Sequence, residues 1–284
     1  MSKIVLGTVQ FGVNYGINNT SGQVSLDEVC KILKIALDQG IQTLDTSSGY
    51  GASEIVLGKA IKETNTAFNI VSKYPRNDES VRSTFEKSIS NLRVDSLYGY
   101  LVHHFDFYQE KPEIFDEMTA LKNEGKIKRV GFSLYNVEQL QYLLDNGIKF
   151  DILQFPYNIF DKQFECYMPK LVEMGVEIHT RSAFLQGLFF KDTNTLPEKL
   201  KPLKNYLDEL HTYCANRGLS VEQLALGYVI SNPNVNGALI GVDNHEQFET
   251  NLKVASVKLS QEDIDFINNI DIKEKALLNP VNWN

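Results

Sequence analysis

Apolar and polar residues along the chain change period again and again, with short apolar runs giving way to stretches of helical spacing. The first pair is "KIVLGTVQFG" and, after a loop rich in Gly, Asn and Ser, "SLDEVCKILKIALDQG". In the latter, Leu26, Val29, Cys30, Leu33 and Leu37 recur at helical spacing. Ser25 with Glu28 reads as a capping box, and Gly40 closes the end. The alternation continues through "QTLDTS" and "SEIVLGKAIKE", "FNIVSKYP" and "ESVRSTFEKSISNLR", and "SLYGYLVHH" and "KPEIFDEMTALKNEGK". "KRVGFSLY" and "NVEQLQYLLDNG", then "FDILQFPY" and "ECYMPKLVEMG", follow. "VEIHTRSAF" precedes a helical stretch over 198–231, and "GALIGV" with "HEQFETNLKVA" completes eight strand-helix units.

Strands alternating with helices predict a parallel sheet. Eight successive units with no long polar linker predict its closure into a single-domain (β/α)8 TIM barrel over 1–284. A doubly wound nucleotide-binding sheet is disfavoured, because the glycines at 7, 12 and 16 do not make G-x-G-x-x-G and no Walker-type loop is present. "LFFKDTNTLPEKLKP", residues 188–202, is the longest insertion and a candidate lid.

With 43% hydrophobic and 23% charged residues, the chain has the balance of a soluble globular protein. A net charge of −8 and the lack of a Lys/Arg run exclude nucleic acid as a partner. An anionic ligand would need local basic groups or helix N-termini to hold it against the overall field. Cys30, Cys166 and Cys214 are far apart and form no CxxC pair, so neither a disulfide framework nor a metal site is expected; they read as small buried hydrophobes. The N-terminus lacks a signal-peptide core and no apolar run approaches a membrane span, which predicts a cytoplasmic location and no membrane partner. Oligomeric state is not legible.

In such barrels chemistry sits at the C-terminal ends of the strands. There the second strand offers Asp45, followed by Tyr50; the third offers Lys73 and the fourth His103. A free tyrosine has a pKa near 10, and an adjacent ammonium would lower it, so Lys73 is expected to activate Tyr50. Asp45 would hold the lysine charged, and His103 would orient a carbonyl oxygen. Together they make a general acid aimed at a carbonyl, with the hydride left to a nicotinamide.

The run "GIQTLDTSSGYGASEIVLG", with "VSKYP", "LVHHFD" and "KNEGKIKRVGFSLYN" following in order, resembles the aldo-keto reductase superfamily over nearly the whole chain. The resemblance implies a (β/α)8 enzyme that reduces aldehydes and ketones with NADPH or NADH through an Asp-Tyr-Lys-His tetrad, carried here by Asp45, Tyr50, Lys73 and His103. It implies that Ser133 and Gln154 hold the nicotinamide amide, although the asparagine usual beside that serine is Leu134. Arg181 stands where an aromatic normally stacks on the nicotinamide; it is either that platform or a salt-bridge partner. Ser182, Phe184 and Gly187 match pyrophosphate contacts. Gly241, Val242, Asp243, Gln247 and Asn251 match the adenosine end, where the basic 2'-phosphate contacts are missing. A carboxylate there points to NADH or to relaxed preference.

His104 is expected to face away from His103 by strand alternation. Tyr15 is a competing proton donor or pocket residue in a turn or hairpin, and Asp106 either touches substrate or caps a helix. Tyr15, Phe105, Tyr135 and Tyr157 are candidate pocket aromatics suited to a small-molecule carbonyl substrate, including a sugar-derived one. "GTVQFGVNYGI" and "RSAFLQGLF" resemble bacterial reductases of carbohydrate or surface-polysaccharide pathways. Two alternatives are a Schiff-base aldolase using Lys73 and a cofactor-binding redox-sensor subunit with little turnover.

Overall fold

The computed structural model describes residues 2–19 and 21–283. Its elements, in chain order, are β1 Ile4–Gly7, α1 Val9–Gly12, α2 Leu26–Asp38, β2 Thr43–Asp45, α3 Ser53–Thr64, β3 Asn69–Tyr74 and α4 Val81–Leu92. Then come β4 Leu97–Val102, α5 Phe105–Glu110, α6 Glu113–Asn123, β5 Ile127–Ser133, α7 Val137–Asp145, β6 Ile152–Pro156 and α8 Met168–Glu173. β7 Glu177–Arg181, α9 Lys204–Arg217, α10 Val221–Ser231, β8 Gly237–Gly241, α11 His245–Val254 and α12 Gln261–Asn269 complete the set. The eight strands pair in sequence order, all parallel, and β8 returns to β1, closing the barrel. The expected fold is the observed one.

Both faces of the strands are buried, as in parallel sheets generally. The main core lies between strands and helices. A small interior cluster of Val71, Leu101 and Ile152, with Tyr98 against it, fills the barrel. At the N-terminal end of the barrel Glu177 takes hydrogen bonds from Tyr98 (2.7 Å) and pairs with Arg129 (2.6 Å) and His179 (2.8 Å). The barrel floor is therefore closed, and the opposite mouth is left for ligands.

Several local expectations shift. The buried stripe of α2 is Val29, Ile32, Leu33 and Ala36, while Leu37 is exposed; the i, i+3, i+4, i+7 face lies one position away from the expected one. Only half of the Ser25–Glu28 box forms. Ser25 Oγ accepts from the Glu28 N–H, but the Glu28 carboxylate turns to His245, accepting from its N–H (2.6 Å) and lying 2.5 Å from its Nδ1, so that α2 is pinned to α11.

The 198–231 stretch breaks at Gly218, in left-handed conformation, into α9 and α10. α5 and α12 add helical turns beyond the eight-unit pattern. The 188–202 segment is anchored by Leu188, Phe189, Leu196 and Leu200, all buried. Cys166 is exposed, unlike Cys214. Among the described residues, no helix is long and apolar enough to cross a membrane.

Candidate active site

Asp45 closes β2 and Lys73 is the penultimate residue of β3; parallel pairing sets Asp45 beside Val71, so both side chains project inward at the mouth. The ammonium of Lys73 has no exposure. It lies 2.5 Å from Asp45 Oδ1 and donates to the Thr46 carbonyl at 2.8 Å. Asp45 Oδ2 accepts from Gln154 Nε2 at 2.7 Å, which fixes the carboxylate from the opposite side of the barrel.

Tyr50 reaches this pair from the loop between β2 and α3. Its N–H donates to the Ser47 carbonyl, and its own carbonyl accepts from the Ser53 N–H. Two glycines permit the close turn. A Cβ on Gly12 would lie 1.8 Å from the Tyr50 carbonyl oxygen, and Gly51 has φ +56°. The bare turn of α1 is thus the surface on which the tyrosine loop rests. Lys73 Nζ sits 4.9 Å from the centroid of the Tyr50 ring, and His103 meets that ring edge-on at 5.5 Å. His103 Nδ1 is 3.2 Å from Ser47 Oγ, and its Nε2 has no partner among the described residues.

The electrostatics correct one expectation. Burial first, and then the Asp45 charge, push the Tyr50 phenol far above its usual range, with Arg181 opposing. Lys73 does not depress it, because its charge is matched by a carboxylate 2.5 Å away. Tyr50 is a protonated donor at rest. Burial, and then the neighbouring Lys73 charge, hold His103 well below its ordinary value, so the imidazole is neutral. Burial pulls Lys73 down, while Asp45 pulls it back up.

A groove of about 200 Å³ runs from Tyr50 and Asp45 over the ends of β1, β7 and β8. Gly7 and Gly241 line it without side chains, and the carbonyl oxygen of the Gln10 side chain is buried there without a partner. A Cβ on Gly241 would fall 2.5 Å from that oxygen. The β1–α2 loop crosses to the far wall: Ile17 N–H donates to the Gln186 carbonyl (3.2 Å), Asn18 to the Gly187 carbonyl (2.7 Å), and Asn19 Nδ2 to Asp243 Oδ1 (3.1 Å). Opposite, Ser182, Leu185 and Gln186 all have positive φ, a run of non-glycine left-handed residues that costs roughly 1–3 kcal/mol each. Such strain clusters where a chain must present its backbone to something.

Of the sequence-predicted residues, Gln154, Arg181, Ser182, Phe184, Gly187, Gly241, Asp243 and Gln247 border this groove. Ser133 is buried and does not border it; the guanidinium of Arg181, which donates to the Leu134 carbonyl at 3.0 Å, lies at that strand end. Val242 and Asn251 are buried off the groove, Val242 because it alternates away from the lining Gly241. Arg181 belongs to none of the ion pairs among the described residues and stacks over Tyr135 at 4.3 Å, so the salt-bridge reading fails. Tyr15 borders the groove, its hydroxyl accepting from Gln186 Nε2 at 2.6 Å, in a loop that makes a turn over Gly16–Asn19 rather than a hairpin. Burial lifts its phenol to about 12.

Phe105 and Tyr157 are core residues instead. Tyr157 is tied to Glu165 at 2.8 Å. Asp106 is exposed in the first turn of α5 and pairs with Arg76 at 3.0 Å. His104 does not face away from His103: β4 ends at Val102, alternation ends with it, and the two rings lie 4.7 Å apart. Sequence reasoning missed Gln10, Gly12, Asn18, Asn19 and Gln186. None carries a chemical signature; only the fold brings Gln10, Asn18, Asn19 and Gln186 to the groove and Gly12 against the Tyr50 loop.

The family model for the aldo/keto reductase family matches residues 3–272, and the chain belongs to that family. It is an NAD(P)-dependent oxidoreductase of the aldo-keto reductase type. Among curated proteins it is similar to aldo-keto reductase YhdN of Bacillus subtilis, 28% identical with 99% of this chain and 92% of the relative covered. The NADH-specific methylglyoxal reductase of Escherichia coli is 24% identical, with 93% and 92% covered. In fold it is similar to the aldo/keto reductase from Klebsiella pneumoniae solved with NADP and acetate, at TM-score 0.72, 23% identity, and 94% and 90% coverage.

Proposed function

We propose that the protein reduces a small aldehyde or ketone to the alcohol, with Tyr50 giving the proton. The observation that supports this best is the buried Asp45–Lys73 pair set against the face of Tyr50, with neutral His103 on its edge. A nicotinamide held in the groove would supply the hydride. The groove suits such a cofactor. Gly7 and Gly241 border it without side chains, and the buried Gln10 side-chain oxygen has no partner among the described residues. Gln154, Arg181, Ser182, Phe184, Gly187, Gly241, Asp243 and Gln247 would hold it, with Ser133, Val242 and Asn251 behind them.

His103 Nε2 orients the carbonyl oxygen toward the phenol. As that oxygen becomes an alkoxide, Tyr50 transfers its proton and is left as phenolate. Of the neighbouring cations, Arg181 is the one whose charge favours that phenolate, while Lys73 is matched by Asp45. Resting Tyr50 keeps its proton for this step. Lys73 donates to both Asp45 and the Thr46 carbonyl and is fully buried, which argues against a Schiff base. A cofactor-binding sensor with little turnover would share the groove but would have no use for the tetrad.

Asp243 borders the groove and Arg181 is the one cation among its lining residues, so no base waits near the adenosine end. This supports NADH or relaxed preference, since a carboxylate accepts from free ribose hydroxyls and repels a phosphate. Titrating the protein with NADH and NADPH by nicotinamide fluorescence, with turnover on a panel of aldehydes, tests both points. Binding with turnover is expected, with NADH used at least as well as NADPH. Binding without turnover on any substrate would favour the sensor, and an NADPH preference of about a hundredfold, near 2.7 kcal/mol, would rule out the cofactor reading.

A further inference from the structure

A second cavity, of about 540 Å³, opens beside the groove between the ends of β5 and β6 and the C-terminal segment 270–282. That volume is within the range of small-ligand sites, roughly 300–1,000 Å³. Arg181 lines both cavities. Its charge is felt by Tyr50, Lys73 and His103, so it stands within electrostatic reach of the reacting phenol.

The charges facing this second cavity are unevenly matched. Lys162 is committed: its ammonium donates to the Ile267 and Ile270 carbonyls at the end of α12. Asp271 is paired with Lys273. Asp161, buried, accepts two bonds from Gln163 Nε2 at 3.0 and 3.1 Å and is in electrostatic reach of both Arg181 and Lys275 without a direct ion pair to either. Arg181 and Lys275 remain, and neither belongs to an ion pair among the described residues. Arg181 donates only to the Leu134 carbonyl. A partly buried guanidinium with no carboxylate in direct contact bears a desolvation cost that a ligand carboxylate or phosphate would offset. In a chain of net charge −8 such a local excess of cations does not arise from composition.

Building on the reductase reading, we propose that the substrate is an aldehyde or ketone carrying an anionic group, its carbonyl at Tyr50 and its carboxylate or phosphate in the second cavity between Arg181 and Lys275. The carbonyl and the anion would be recognised by different elements. Tyr50 and His103 take the first, and the β7 end and the C-terminal segment take the second.

Two matched pairs test this: succinic semialdehyde against butanal, and glyceraldehyde 3-phosphate against glyceraldehyde. The charged member of at least one pair is expected to be favoured in kcat/KM by about tenfold, the scale of one charge-assisted hydrogen bond. Which pair shows it separates carboxylate from phosphate. The preference should fall severalfold in Lys275→Met, and again when salt is raised from about 0.02 to 0.3 M. Calorimetric titration of the protein with succinate and with glycerol 3-phosphate gives a readout independent of turnover, and Lys275→Met and Arg181→Met should weaken that binding. Equal use of charged and neutral partners, unchanged in Lys275→Met, would overturn the proposal and leave the reductase reading standing, with Asp161 then balancing the cations. No turnover of any of the four would overturn the reductase reading instead. The calorimetry would then decide for anion binding if heat is lost in the variants, and against it if there is none.

Discussion

Gly12→Ala should disable the enzyme without touching a reacting group. The added Cβ would stand 1.8 Å from the Tyr50 carbonyl oxygen, 2.5 Å from Ser53 N and 2.8 Å from Ser53 Cβ, whereas real Cβ atoms stay beyond 3.0 Å. The closest contact alone demands a shift of at least 1.2 Å, the gap between 3.0 and 1.8 Å, and two of the three obstacles are backbone atoms that cannot rotate aside. Overpacking of this kind costs about 1–3 kcal/mol of stability. A displacement near 1 Å in a catalytic group costs about a hundredfold in rate. Gly58→Ala is the control, since its Cβ would meet the Asn91 carbonyl at 2.1 Å on the α3–α4 contact, where nothing reacts. Thermal melts and kcat for both variants make the comparison. Similar losses of Tm are expected, with kcat falling about a hundredfold only in Gly12→Ala. If Gly12→Ala keeps kcat within about threefold while melting like Gly58→Ala, the contact does not position Tyr50. Should Gly12→Ala fail to fold, Gly51→Ala, strained at φ +56° in the same loop, replaces it.

Other consequences follow from the same geometry. Asp45→Asn leaves Lys73 buried without its anion, so stability should drop by about 3–5 kcal/mol in urea titrations; a loss under 1 kcal/mol would contradict the pairing. His103 is held neutral in the fold, while the unfolded chain protonates near 6.5, so the stability it contributes is present above that pH and is lost as pH falls toward the lower folded value. Wild type should therefore lose stability more steeply than His103→Gln between about pH 6.5 and 5, by up to about 1.4 kcal/mol per pH unit, and parallel profiles would refute this. Asp243→Ser should raise kcat/KM with NADPH relative to NADH by about tenfold, and an unchanged ratio would remove Asp243 from cofactor choice.

The barrel was legible because parallel strands buried on both faces read as short apolar runs, while the helices around them keep a 3.6-residue period. Asp45 and Lys73 were legible for a related reason: a polar residue at the end of an apolar strand has to point into the mouth, whereas Gln154, in the middle of β6, was marked only by the family resemblance. His104 was misplaced because the period-two rule was carried past Val102, where the strand stops. The role expected of Lys73 failed on a distance that no sequence shows. At 2.5 Å, Asp45 spends the lysine's charge before the phenol can feel it. Gly12 gave no signal, since its contact joins segments far apart in the chain and is mostly with backbone. Nor was there a signal for the left-handed conformations of Ser182, Leu185 and Gln186, which run against the preferences of their side chains.

The most direct test of the central claim is the turnover of Tyr50→Phe, measured alongside its affinity for the reduced nicotinamide. The ring stays to cover Lys73 and only the donated proton is lost. Turnover should fall by at least about a hundredfold, the range for removal of a general acid, with cofactor Kd within about threefold of wild type. Turnover retained within a few fold would mean that another group delivers the proton.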